Sequence, residues 1–392
     1  MPNHSDILSM PPAAWMNEEF TMVREMAGRF MDDEIAPHYE TYEREEIVPR
    51  SEWEKAGANG LLCASMPEAY GGGGASYAEE AAIIEAIGHA GVDGFGIALH
   101  SGIVAPYIEA YGTEEQKAKW LPKMATGELI GAIAMTEPGA GSDLQGIKTT
   151  ASRDGNQYSI SGSKTFITNG QNANLILVVA KTDPAEGAKG TSLMVVETEG
   201  LEGFERGRNL DKIGFKANDT SELFFNDAKI PTSNLLGSDE GQGFYQLMNQ
   251  LPQERLIIAN QAMASIERAL ALTIDYAGER KAFGKPIIDF QNTQFKLAEM
   301  KSEATMAKAF VNHCVERHLN GGLDTETASM AKYLLSDLQG KVMDECLQLF
   351  GGYGYMNEYP IARMYRDARV QRIYGGTNEI MKLLIARSLQ KG

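Results

Sequence analysis

The chain has 392 residues, 43% of them hydrophobic, and 53 acidic against 36 basic residues give a net charge of −17. That apolar content excludes a mainly disordered chain, the length exceeds one ordinary core, and no apolar run reaches the roughly 20 residues that span a membrane. An acidic surface repels phosphate backbones, so nucleic acid is a poor partner.

The predicted elements fall into three zones, giving an α+β multidomain chain with expected domains at residues 1–130, 131–241 and 242–392. From Asn17 to about Leu129 the pattern is helical, with Phe20, Val23, Met26, Ala27, Phe30 and Met31 at i, i+3, i+4 spacings. Tyr77 to Gly88 repeats it after a Gly71–Gly74 stretch, which reads as a flexible connection. From Ile130 to about Asp239 short apolar runs alternate with Gly, Asn and Asp: Gly131–Met135, Tyr158–Ser161, Thr165–Thr168, Leu175–Ala180, Leu193–Glu197 and Leu223–Phe225. Asp154-Gly155 signals a two-residue hairpin. This zone predicts an antiparallel β-barrel or sandwich domain. From Gly243 onward long helices return. Leu297, Met300, Ala304, Ala307, Val311 and Cys314 form one seam, and Ala328, Ala331, Leu335, Leu338 and Val342 another. Joined by Asn320-Gly321-Gly322, they predict antiparallel neighbours in a four-helix bundle.

Cysteine chemistry has little support, because Cys63, Cys314 and Cys346 form no CxxC pair. Disulfides and structural zinc are not expected, and a reducing, cytoplasmic setting is. Met1–Asp6 shows neither a signal peptide nor an Arg-rich presequence. His313 and His318 are five apart, off the helical metal-pair spacing, so no metal site is expected. No GxSxG elbow occurs.

Several segments break the regular patterns. Thr136–Asp143 follows a strand with two glycines two apart, and reads either as a tight turn or as a loop presenting N–H groups to a ligand. Arg280–Lys285 follows a helix placed at Leu256–Tyr276. Dipole pairing with a Gly284 C-cap explains it, and a phosphate clamp with Phe283 stacking on a ring is the alternative. Gly351–Tyr355 and Tyr374–Glu379 put glycine–aromatic turns into a helical zone. Pro252, in Leu251–Arg255, predicts a broken or kinked helix with Glu254 in the first turn after the break.

Together these segments resemble the acyl-CoA dehydrogenase family over nearly the whole chain. The resemblance is carried by MTEPGAGSDL (Met135–Leu144), FITNG (Phe166–Gly170), RKAFGK (Arg280–Lys285), QLFGGYGY (Gln348–Tyr355) and YGGTNEI (Tyr374–Ile380). It is closest to the long-chain branch, where LPQER precedes the bundle helix. The usual family motif carries its base after the tyrosine, where this chain has Gly375. In the long-chain and isovaleryl branches the base stands before the arginine of LPQER, here Glu254. The resemblance therefore implies FAD as cofactor and Glu254 as the base removing a thioester α-proton. It implies the Gly375 N–H as a donor to the thioester carbonyl, with Arg255 and Gly376 beside the substrate. Met135, Thr136, Gly141, Ser142, Phe166, Ile167 and Thr168 would hold the flavin ring, with Ser142 also at the CoA entry. Thr377, Asn378 and Glu379 would complete that site. Arg280, Phe283, Gln291, Gln348, Leu349, Phe350, Gly351 and Gly352 would hold the adenosine-diphosphate part across a subunit contact. A medium- to long-chain fatty acyl-CoA would become trans-2-enoyl-CoA in fatty-acid β-oxidation. The enzyme would be a homotetramer that passes electrons to an electron-transferring flavoprotein. Ser101–Pro106 and Gln246–Gln250 would set chain length. An acyl-CoA oxidase is the rival enzyme, and a non-catalytic flavin or CoA scaffold, suggested by Gly375, is the rival from another class.

Overall fold

A computed structural model describes residues 7–74 and 76–390, so the amino-terminal hexapeptide read above lies outside the described residues. The helices are α1 (Glu18–Phe30), α2 (Tyr39–Glu45), α3 (Arg50–Ala58), α4 (Tyr77–Ala90), the single turn α5 (Ile97–Leu99), α6 (Ala105–Tyr111) and α7 (Glu114–Ala125) before the sheet. After it come α8 (Gly243–Glu279), α9 (Gln291–Leu319), α10 (Thr325–Phe350), α11 (Pro360–Ala368) and α12 (Asn378–Leu389). The strands are β1 (Gly131–Ala134), β2 (Thr150–Asp154), β3 (Gln157–Thr168), β4 (Leu175–Lys181), β5 (Thr191–Glu197), β6 (Phe204–Asn209) and β7 (Thr220–Pro231), with a small hairpin of β8 (Lys281–Ala282) and β9 (Lys285–Pro286).

The amino-terminal helices start where side chains can take up orphan N–H groups. Asn17 accepts from Phe20 N at 2.9 Å, and Thr113 and Gln116 form a reciprocal capping box on α7. Helix α4 is buried almost all round, which its Ala-Ala-Ile-Ile composition allows, and it packs on both α1 and α8. The Gly71–Gly74 stretch is not the loose connection expected. Gly73 N donates to Ala64 O and Gly74 N to Met66 O, both at 2.9 Å, so its amides are committed to the preceding turn. The apolar Leu8, Trp15 and Met16, ahead of α1, join the core of the carboxy-terminal helices.

The middle domain is a curled half-barrel sheet of order β1-β4-β2-β3-β7-β6, with β5 on the other side of β4. Most pairings are antiparallel as expected, but β1 runs parallel to β4 (Gly131↔Leu175), and β2 meets β4 in parallel at Lys181. The two runs Tyr158–Ser161 and Thr165–Thr168 are one strand, β3, whose pairing with β7 slips between Lys164 and Ile167. Gly155 opens the β2–β3 hairpin with φ +60°, one position later than the Asp-Gly pair suggested.

Helices α8, α9, α10 and α12 make the carboxy-terminal bundle. Helix α8 runs unbroken through Pro252, so the expected break is absent. Proline removes one backbone donor, and packing of the flanking turns against α4 and α10 outweighs that loss. Glu254 therefore sits inside a long helix rather than in a first turn. Gly284 is likewise not a helix C-cap. Arg280 ends α8, and Phe283-Gly284 (φ +50° and +83°) form the two-residue turn of the β8–β9 hairpin, where both positions need positive φ.

Candidate active site

Helix α8 carries Glu254 and Arg255 inward at its junction with α6 and α10. Glu254 is 6% exposed, and its Oε1 accepts from the Tyr107 hydroxyl of α6 at 2.7 Å. Burial pushes the carboxyl up to about 7, against the downward pull of the Tyr107 hydrogen bond and the Arg255 charge. That leaves a carboxylate poised to take or release a proton near neutrality. Arg255 is also buried, and its Nη1 donates to Ser329 Oγ on α10 at 3.3 Å.

The Tyr374–Glu379 turn closes over this point. A Cβ on Gly375 would lie 2.4 Å from Ile258 Cδ1, and Ile258 is one helical turn beyond Glu254 on the same face of α8. Gly375 and Gly376 have φ of +61° and +87°. A glutamate at 375 would meet left-handed strain and the tip of the Ile258 side chain, whereas a carboxylate on α8 meets neither. Lys332 of α10, 0% exposed, holds the turn by donating to Gly376 O (2.7 Å) and Asn378 Oδ1 (2.9 Å). Burial and the nearby Arg255 charge push its ammonium down to about 8. Asn378 also donates to Ser336 Oγ and Asp337 Oδ1, so its side chain holds the turn rather than reaching a cofactor. Thr377 caps α12 by accepting from Ile380 N, and Glu379 is exposed in its first turn.

The other half of the site lies on the sheet. Thr165 N donates to Thr136 O at 3.0 Å, and Lys164 Nζ donates to Met135 O at 3.0 Å, so the Met135–Ser142 loop and the β3 slip lie side by side. Glu137 pins the loop from within: it takes Lys164 Nζ and Thr149 N on one oxygen and Lys148 N on the other. Burial alone would raise the Glu137 carboxyl, but these donors and the Lys164 charge hold it below its usual range. Phe166, at φ +60° in the slip, turns its ring outward and is 68% exposed. A Cβ on Gly139 or Gly141 would meet nothing within 4 Å. An outward aromatic ring, a pinned strand-end loop and open glycines make a platform that fits a flat heteroaromatic ring. Ile167, by contrast, points into the sheet core, so it can offer a ligand only backbone; Thr168 pairs with Thr220, and Ser142 is exposed. Met135 and Tyr107 share one apolar cluster, which links this platform to the base.

The remaining expected cofactor residues lie elsewhere. Arg280 follows Glu254 by 26 residues, about 39 Å along α8 at 1.5 Å per residue. Its guanidinium lies 5.7 Å from the centroid of the Tyr353 ring, and Phe283 is 96% exposed at the hairpin tip. Gln291, Gln348, Gly351 and Gly352 are exposed nearby, and Leu349 is half-buried. Phe350 is buried and stacks on Tyr276 at 4.1 Å, so its side chain belongs to the core. Among the described residues no cluster of His, Cys, Asp and Glu could hold a metal, and no helix is long and apolar enough to cross a membrane.

Tyr107, Lys332, Ile258 and Glu137 escaped the sequence reading. Lys332 left a trace as a lysine between the seam positions Ala328, Ala331 and Leu335, and Glu137 lay within the Thr136–Asp143 segment without a role of its own.

This fold, with a buried helical carboxylate and a flat-ring platform joined through one apolar cluster, has the parts a flavin-dependent dehydrogenase of acyl thioesters needs. Three family models match the chain: acyl-CoA dehydrogenase N-terminal domain over residues 17–128, middle domain over 132–228 and C-terminal domain over 241–390. The chain is 50% identical over 375 residues to the mouse (Mus musculus) mitochondrial long-chain specific acyl-CoA dehydrogenase, covering 95% of this chain and 87% of the relative. An acyl-CoA dehydrogenase structure from Geobacillus kaustophilus superposes with a TM-score of 0.94 at 51% identity, covering 96% of this chain and 100% of that one. A glutaryl-CoA dehydrogenase from Mycobacterium smegmatis in complex with FADH2 gives 0.90 at 28% identity, covering 96% of each chain. The chain belongs to the acyl-CoA dehydrogenase family, and FAD is its cofactor.

Proposed function

We propose that the protein converts medium- to long-chain fatty acyl-CoA to trans-2-enoyl-CoA in fatty-acid β-oxidation, with Glu254 as the base. The observation that carries this reading is the buried Glu254 carboxyl, held by Tyr107 one helical turn from Ile258, the residue that Gly375 overlies. Bound FAD supplies an acceptor for the β-hydrogen, taken as hydride. Glu254 accepts the α-proton, while the Gly375 N–H, on a turn fixed by Lys332, donates to the thioester carbonyl and stabilises its developing negative charge. Arg255 stays paired to α10 and keeps a positive charge beside the base. Glu137 and Lys164 fix the loop that would hold the flavin ring, and the outward Phe166 side chain would be available to pack against it.

The likeness to the mouse long-chain enzyme supports a long acyl chain, and the acceptor in this reading is an electron-transferring flavoprotein. Three buried free cysteines suit a reducing compartment, consistent with a cytoplasmic enzyme. The test is anaerobic flavin bleaching with acyl-CoAs of four to eighteen carbons, followed by reoxidation with electron-transferring flavoprotein or with air. Fastest bleaching at ten carbons or more, with slow recolouring in air, supports the reading. A short-chain optimum overturns the substrate, and rapid recolouring in air overturns the acceptor.

A further inference from the structure

We propose that Tyr107 is the positioning residue of the base: its hydroxyl fixes one carboxylate oxygen of Glu254 and leaves the other to receive the substrate α-proton. This rests on Glu254 being the base. Tyr107 is fully buried on α6, and its hydroxyl donates to Glu254 Oε1 at 2.7 Å. No hydrogen bond reaches Oε2 from the described residues. One oxygen is thus engaged and oriented by a donor, while the second is left without one and is the freer of the two to take a proton from carbon.

The reaction balances simply. The Cα–H bond breaks, its proton forms an O–H bond at Oε2, and its electron pair becomes the new C=C as the β-hydrogen departs as hydride to FAD. Throughout, Tyr107 donates to a carboxylate better than to the carboxylic acid that forms, so it also sets basicity. The groups facing Glu254 are few. Tyr107 comes from α6 and Arg255 from α8, with Tyr111 behind the first and Lys332 of α10 behind the second. Desolvation dominates the Tyr107 phenol and the Glu254 charge adds to it. Its acidity therefore falls far below ordinary and it stays a donor at every working pH.

The experiment measures stopped-flow flavin reduction from pH 5 to 9 in the FAD-loaded wild type, Glu254→Gln and Tyr107→Phe. The ring of Tyr107→Phe still fills its site, so FAD content and affinity for a non-reducible acyl-CoA thioether should be unchanged. Its acid limb should move about 1–2 pH units to the alkaline side, because the carboxylate has lost a donor. Replacing Tyr107 with 3-fluorotyrosine, a stronger donor of nearly the same shape, should move the limb to the acid side. A purely structural role would lower the rate equally at every pH with the limb in place, and that result overturns the proposal. If the limb survives in Glu254→Gln, the base itself is misassigned. If it vanishes there but stays fixed in Tyr107→Phe, the base stands and the Tyr107 role falls.

Discussion

Two buried carboxyls, Glu254 on α8 and Glu80 on α4, differ in their hydrogen bonding and in the sign of the nearest charge. Glu254 has the Tyr107 donor, whereas neither oxygen of Glu80 has a partner, and burial with the neighbouring Glu79 charge pushes Glu80 up to about 8. A group whose folded pKa is raised stabilises the fold fully below its unfolded value, and that contribution is lost as pH rises through the folded one. Stability attributable to Glu80 should therefore decline between about 4.5 and 8, and Glu80→Gln should flatten the slope. Chemical denaturation at several pH values checks this. An unchanged slope would assign the titration to Glu254, Asp93 or Asp367, which burial raises to about 7, 6 and 7. At Gly375 the contest is steric. Glu254→Gln with Gly375→Glu should stay inactive in anaerobic bleaching, because a Cβ there meets Ile258 at 2.4 Å on a left-handed backbone. Adding Ile258→Ala opens the space and should restore measurable reduction. Activity in the double variant alone would show that Ile258 yields without help.

Between elements, the least visible tie is ionic. Lys308 of α9 lies between Glu85 of α4 (2.7 Å) and Glu267 of α8 (3.4 Å), and Arg24 of α1 and His89 of α4 join the same network. Removing one partner of a buried network strands the others, so Lys308→Met should cost about 3–5 kcal/mol in urea unfolding. A loss under 1 kcal/mol would mean that the carboxyls simply take up protons. Such ties explain what the sequence could and could not reveal. The seams of α9 and α10, the three-zone order and the glycine turns were legible, because hydrophobic period and turn chemistry are local. The passage of α8 through Pro252 was not, since distant packing on α4 and α10 overrides a local breaker. The parallel β1–β4 pairing joins strands some forty residues apart, and no local signal encodes it. Glu254 was legible only beside Gly375, as one carboxylate replacing another. Tyr107 and Lys332 act through space from other helices and left little in the pattern.

At the scale of the whole molecule, one helix separates two groups of cofactor residues. About 39 Å of α8 lies between Glu254 and Arg280, so the two sets of residues sit at opposite ends of one long helix. Given that separation, we propose that Arg280, Phe283 and the Gln348–Gly352 turn serve the FAD of a neighbouring subunit. Phe283, almost fully exposed at the hairpin tip, is a side chain that such a contact would cover. Arg280→Ala and Phe283→Ala should lose flavin and assembly together, seen as a lower 450 nm absorbance per chain and later gel-filtration elution. A fully flavinated monomer would contradict this assignment. The reading as a whole rests on the carboxylate at the other end of that span. Its most direct test is the amplitude and rate of anaerobic flavin reduction by a long-chain acyl-CoA, at neutral pH, in wild type and Glu254→Gln. The variant should keep its FAD and bind substrate, yet reduce roughly 10²–10⁴-fold more slowly. Reduction at a wild-type rate would mean that Glu254 is not the base.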